Sequence, residues 1–213
     1  MTLKETRTKI IEDDAFVLSE VEKLQYLYEL KKVIRYDLDR ESEEYDTESV
    51  AEHVYGMYVL AEYFLPLEDP KGEWDRLRIH GMILWHDIDE IETGDILGYK
   101  KTAADRANEF EAMKVVIEKM PESFQKSVRS LMEEYDTRET IESKFVKAID
   151  KSEATLHSFN ENGRRIYHKN NTRAQEHRSI KDPYVQDFPF IKKFNEVITE
   201  EMVRRQFFAP ESE

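Results

Sequence analysis

The chain has no cysteine among its 213 residues. That excludes a disulfide framework and a thiolate metal site, so any metal must be held by imidazoles and carboxylates. Glycine and proline number six each, and few segments alternate in the manner of strands, which argues against a turn-rich β domain. No apolar run approaches the roughly 18 residues of a membrane-spanning helix. The first residues, Met1-Thr2-Leu3-Lys4-Glu5-Thr6-Arg7, carry no apolar signal core, so the expectation is a cytoplasmic protein without a membrane partner. Positive charge is in short supply: 32 Lys and Arg against 46 Asp and Glu give a net charge of −14. Such a surface repels long DNA or RNA. It leaves room for one small phosphate ester, where a local Arg or a cation overrides the global field.

What the chain does contain is helical. Hydrophobic residues make up 39% and aromatics 11%, enough for a packed interior in one domain spanning residues 1–213. Leu, Glu, Lys, Ala and Met dominate the periodic stretches, which predicts an all-α protein, a single compact helical bundle. A first helix is expected over 19–34, followed by a charged connection from Asp37 to Thr47. Ser49-x-x-Glu52 is a capping box ahead of an apolar face of Val50, Val54, Met57, Tyr58, Ala61 and Phe64-Leu65, with Pro66 and Pro70 closing the segment. Helices are further expected over 73–89, from Thr102 (capping box Thr102-x-x-Asp105) to Lys119, from Pro121 to Tyr135, and from Thr137 or Arg138 to Phe159. Residues 160–181 are polar, have little periodicity and read as a mobile loop. A last helix is expected over 183–208. Leu77, Met82, Ile83, Leu84, Trp85 and Ile88 make the 73–89 segment apolar near its end, which implies a buried position, and Trp85 reads as a core residue.

Three short blocks carry the chemistry. His86 and Asp87 are adjacent at the end of that apolar run. His53 lies upstream on the face of Val50 and Met57, and Asp150 lies downstream behind Phe145, Val146 and Ile149. Two imidazole nitrogens and two carboxylates suit Mn, Fe, Co, Ni or Zn better than Ca. A His on an apolar face is commonly a hydrogen-bonded core residue. An Arg or Lys beside each Asp would also offset its burial. The residues alone therefore leave a shared metal and separate ion pairs both open.

The ordered pattern His53 … His86-Asp87 … Asp150 resembles the HD-domain metal-dependent phosphohydrolase superfamily. The flanking text, Glu48-Ser49-Val50-Ala51-Glu52-His53, His86-Asp87-Ile88-Asp89-Glu90-Ile91-Glu92-Thr93-Gly94-Asp95-Ile96 and Lys144-Phe145-Val146-Lys147-Ala148-Ile149-Asp150-Lys151, is similar to its 5′-deoxynucleotidase subfamily over about residues 20–160. The resemblance implies an HD-domain bundle and one divalent metal (Mn, Co, Fe, Ni, Zn or Mg) on His53, His86, Asp87 and Asp150. It further implies Glu90 and Asp95 as the acidic residues of proton transfer and water positioning. Arg35 is implied at the substrate's 5′-phosphate and Tyr36 near the sugar, where the family has Trp. Lys100 or Lys101 could add a second positive group. No histidine falls between His86 and Asp150, which favours one metal and hydrolysis over a two-metal oxygenase. The implied activity is hydrolysis of (deoxy)ribonucleoside 5′-monophosphates to nucleoside and phosphate. The alternatives are another small phosphate ester or nucleotide as substrate, and a metal-stabilised helical interaction module without catalysis. A homodimer is the form common in that family.

Overall fold

A computed structural model describes residues 1–35, 48–98 and 100–210. Tyr36 and the 37–47 connection lie outside the described residues. Among those described there is no sheet, only an isolated antiparallel bridge between Ile34 and Ser49. The elements in chain order are α1 (Leu3–Glu12), α2 (Asp14–Leu27), a 3-10 turn (Tyr28–Lys32), α3 (Val50–Glu68), α4 (Arg76–Trp85), α5 (Glu90–Thr93), α6 (Ala103–Lys119), α7 (Glu122–Thr137), α8 (Ile141–His157), α9 (Glu161–Lys169), α10 (Ala174–Val185) and α11 (Pro189–Arg204). No described helix is long and apolar enough to cross a membrane.

α8 is the hub. Its buried residues include Phe145, Val146, Ala148, Ile149, Ser152 and Thr155, too wide a band for a helix with one side in water. It accordingly packs against α3, α4, α7, α10 and α11. α3 buries one face, Val50, His53, Val54, Met57, Leu60, Ala61 and Phe64, at the three- and four-residue spacing of a helix. Phe145, Phe188 and the half-buried Trp74 meet edge to face between α8 and the start of α11.

Several boundaries differ from those expected, each for a local reason. The helix expected over 19–34 is α2, which begins at Asp14, where Asp13 caps it by accepting from the Phe16 N–H, and it tightens into the 3-10 turn after Leu27. α3 runs through Pro66 to Glu68; a proline in the last turn forfeits one backbone bond, and the helix absorbs it. The segment expected as one helix to Asp89 ends at Trp85, and a separate turn of helix begins at Glu90. Leu77 and Leu84 face solvent there, while Ile79, Met82, Ile83 and Ile88 fill the core. Trp85 packs on the core beside Phe124. The stretch 160–181, expected as a loop, forms α9 and most of α10, and Pro183 lies inside α10 rather than opening the last helix.

Candidate metal centre and cleft

Three separate helices deliver the four expected ligands. The capping box at Ser49 and Glu52 starts α3 and sets His53 on its buried face. α4 stops at Trp85, so His86 is its C-cap and Asp87 lies in the following turn. On a continuing helix, neighbouring side chains diverge by about 100°; the turn lets both point inward. Asp150 comes from the buried face of α8.

They converge. One donor atom each from His53, His86 and Asp150 lie within 4.8 Å of one another. His53 Nε2 is 3.6 Å from Asp150 Oδ1 and 3.9 Å from Asp87 Oδ2, and His86 Nε2 is 2.9 Å from Asp87 Oδ2. Donors sharing one first-row cation at about 2.1 Å stand roughly 3–4 Å apart.

The hydrogen bonds behind the rings decide what the front can hold. His86 Nδ1 is 3.0 Å from the Ile83 carbonyl oxygen. A carbonyl only accepts, so Nδ1 carries the hydrogen and donates. His53 Nδ1 is 2.5 Å from Glu153 Oε2. Burial opposes ionisation of Glu153, but contact with His53 and the charge of Arg35 outweigh it and hold the carboxyl below its usual range. His53 therefore also donates from Nδ1. With both rings neutral, each Nε2 is left as a lone pair, buried and without a hydrogen-bond partner. Orphaned buried acceptors cost about 1–3 kcal/mol each. A lone pair facing a carboxylate oxygen at 2.9 Å repels it unless a proton or cation lies between. One divalent ion would satisfy all four donors, so the residues present fit a metal.

Sequence reading allowed an Arg or Lys beside each Asp but missed which residues stand behind Asp150. Its Oδ2 is 2.9 Å from Lys147 Nζ and 3.1 Å from Lys151 Nζ, and the Tyr135 hydroxyl donates to it at 3.4 Å. Burial works against ionisation, yet the two ammonium groups hold Asp150 well below the usual carboxylate range. Oδ1 remains free to face the histidines. Glu153 and Gly56 were missed as well. A Cβ on Gly56 would stand 2.6 Å from Glu153 Oε1, so glycine there lets Glu153 reach His53.

Glu90 opens α5 and is buried, with Oε2 unpartnered. Burial first, then the charges of Asp87, Asp95 and Asp89, push its carboxyl well above the usual range. Asp95 follows in the loop after Gly94. Arg35 is buried, and its Nη1 is shared between Glu48 at 3.1 Å and Glu153 at 3.3 Å. Lys101 pairs with Glu109 at 2.6 Å, while Lys100 reaches outward to Asn170.

A cleft of about 110 Å³ adjoins the centre. Asp150, Lys151 and Arg35 line one side, and Tyr167, His177 and Lys181 from α9 and α10 the other. Tyr167 and His177 hold each other through a relay. The Ser158 hydroxyl donates to the Ala154 carbonyl at 2.7 Å and lies 2.8 Å from the Tyr167 hydroxyl, which lies 3.3 Å from His177 Nδ1. His177 is kept neutral by burial and by the positive charges of Lys181 and Arg178.

The HD domain profile matches residues 27–192, well over half of the sequence and all four convergent residues. The chain belongs to the HD domain family. HD relatives include a 5′-deoxynucleotidase HDDC2 of Homo sapiens, 35% identical over 111 residues, and its Bos taurus counterpart, 37% identical over 111 residues. Each alignment covers 51% of this chain and 52% of the relative, so the chain spans about half the length of the curated relatives it matches. Among solved structures, a "Predicted metal-dependent phosphohydrolase" from Magnetospirillum magnetotacticum superposes with a TM-score of 0.76 at 22% identity, covering 91% of this chain and 98% of that one. At that identity the likeness establishes the fold alone. An HD-domain phosphohydrolase from Listeria innocua superposes with a TM-score of 0.55 at 25% identity, covering 87% and 85%.

Proposed function

We propose that this HD-domain chain is a metal-dependent phosphohydrolase of nucleoside 5′-monophosphates, deoxyribonucleotides included, with His53, His86, Asp87 and Asp150 as the metal ligands. One observation carries the reading: two imidazole lone pairs, orphaned by their own hydrogen bonds, meet two carboxylates beside a cleft lined with cations. The HD-domain match and the 5′-deoxynucleotidase relatives support it.

When bound, a divalent cation neutralises phosphoryl oxygens and makes a coordinated water acidic enough to serve as nucleophile near neutral pH. The chain's own residues do the rest. Glu153 and the Ile83 carbonyl hold both imidazoles in the tautomer that faces the centre. Lys147 and Lys151 keep Asp150 ionised, and Lys151 with Arg35 adds positive charge where a phosphoryl group would sit. Glu90, whose carboxyl is pushed well above its usual range by burial and the neighbouring carboxylates, is the acid that delivers a proton to the leaving 5′-oxygen. Asp95 positions the attacking water. Tyr36 is assigned to the sugar by resemblance alone.

Purified protein loaded with Mn²⁺, Co²⁺ or Mg²⁺ and offered a panel of ribo- and deoxyribonucleoside monophosphates should release inorganic phosphate. Release from non-nucleotide esters only would keep the hydrolase and remove the nucleotide. No release from any ester, with metal content confirmed, would defeat the proposal.

A further inference from the structure

The cleft wall facing α8 presents an amine in an uncomfortable setting. Lys181, on α10, is buried. Its Nζ donates to Thr155 Oγ1 at 2.7 Å. Thr155 spends its own hydrogen on the Lys151 carbonyl at 3.1 Å, so its oxygen is left to accept. Beyond that hydroxyl, Lys181 has no carboxylate within ion-pair distance among the described residues. Lysine is almost never fully buried unless paired, and an uncompensated buried charge is strongly destabilising.

Its surroundings add to the strain. Lys151 and Arg35 line the same cleft. Burial first, then the positive fields of Lys151 and Arg35, bring the amine down to about 7, with Asp150 and Glu153 pulling the other way. Lys151 already pairs with Asp150 at 3.1 Å, so of the two amines lining this cleft Lys181 is the one without a carboxylate. An oxyanion with two negative charges supplies the partner that Lys181 lacks and can share Lys151 with Asp150. It would also restore the Lys181 charge that burial erodes.

We propose that Lys181 is an anion ligand of the cleft, binding the dianionic phosphoryl group of the substrate together with Lys151. The identity of the ester rests on the phosphohydrolase reading above; the anion site does not. Its position makes α10 part of substrate binding rather than a cover over the bundle. It also predicts that a phosphate monoester, with two charges, is held better than a singly charged diester.

The test is Lys181→Met, an unbranched side chain one atom shorter that removes the charge. In metal-loaded protein of equal metal content, calorimetric affinity for inorganic phosphate should fall about tenfold or more, the loss of one charge-assisted hydrogen bond. The KM for any ester turned over should rise with it while kcat changes less, and Lys181→Arg should recover part of both. The unfolding midpoint of Lys181→Met should stay level or rise, because an unpaired charge has left the interior. Lys181→Gln repeats the comparison with a donor still available to Thr155, should the methionine variant fail to fold. Wild-type phosphate affinity and KM in a folded, charge-free variant would overturn the anion site. Phosphate binding through Lys181 in a protein that hydrolyses no nucleotide would keep the anion site and remove the nucleotide.

Discussion

At the scale of single residues, Gly56 and Glu153 show how a side chain outside the ligand set governs the centre. Glycine inside a helix costs about 0.5–1 kcal/mol relative to alanine, and α3 carries that cost one turn after His53. The compensation is room: Glu153 could not hold its position against a Cβ at 2.6 Å from its Oε1. Glu153→Gln keeps the shape and removes the charge that orients and polarises His53. Metal affinity, read by competition with a chromophoric chelator, should drop 10–100-fold, the usual penalty for removing such a partner. Gly56→Ala should move affinity the same way while raising helix propensity. A Glu153→Gln protein that binds metal as wild type does would remove Glu153 from any role at the centre. The same scale holds a pH effect. Asp89 is buried, and burial, then Asp87 and Glu109, raise its carboxyl to about 8. A raised folded-state value means its stabilising contribution is complete below about 4 and is lost as pH climbs toward about 8. Asp89→Asn should flatten the fall in chemical-denaturation stability across that window in chelator-treated protein; an unaltered slope would show that Asp89 ionises freely.

At the scale of elements, legibility followed hydropathy. α3 and α6 were readable because capping boxes open their apolar stretches, α7 because Pro121 marks its start, and the histidine and aspartate ligands because His-Asp adjacency on an apolar run is rare. α9 and α10 were not readable. Their buried positions are Gly163, Ile166 and Tyr167 in one and His177, Lys181 and Val185 in the other; three of these are glycine, histidine and lysine, which pattern reading assigns to surface. Lys147, Lys151 and Glu153 were hidden for the same reason. In a chain that is 37% charged, a lysine or glutamate on a helix is ordinarily solvated, and nothing local marks Glu153 as buried or the two lysines as half-buried. Gly163 offers a test of α9. A Cβ there would fall 1.9 Å from the Ser158 carbonyl oxygen, a backbone atom that cannot swing aside. Glycine to alanine in an unconstrained helix would gain about 0.5–1 kcal/mol. Here Gly163→Ala should instead lose about 1–3 kcal/mol, the range for overpacking a close-packed site. It should also raise the KM, because α9 must shift and Tyr167 with it. A gain in thermal midpoint would show that α9 does not sit against Ser158.

At the scale of the whole molecule, the net charge of −14 and the cleft stand opposed. The field outside repels anions, while Arg35, Lys147, Lys151 and Lys181 gather positive charge around Asp150. The proposed phosphate site draws on that contrast, since a long strand would meet the exterior and a single phosphate the cleft. The same contrast ties folding to metal. α3, the α4 turn and α8 are each bound to the others through apolar packing, but where they meet the interior holds two orphan nitrogens and two carboxylates. A cation that binds only the assembled site stabilises it by about 2.7 kcal/mol at a hundred times its Kd and about 4.1 kcal/mol at a thousand times. For a chain of this length that amounts to roughly 5–15 °C in Tm. Exhaustive chelation should lower the calorimetric midpoint by that much, and adding back Mn²⁺ or Co²⁺ should restore it. His86→Ala should abolish the chelator effect while leaving a folded helical protein. Asp150→Ala should do more damage, because it strands Lys147 and Lys151 without their shared carboxylate. If chelation shifted the midpoint equally in wild type and His86→Ala, the stabilising ion would be bound elsewhere, and the convergence of these four side chains would not be a metal centre.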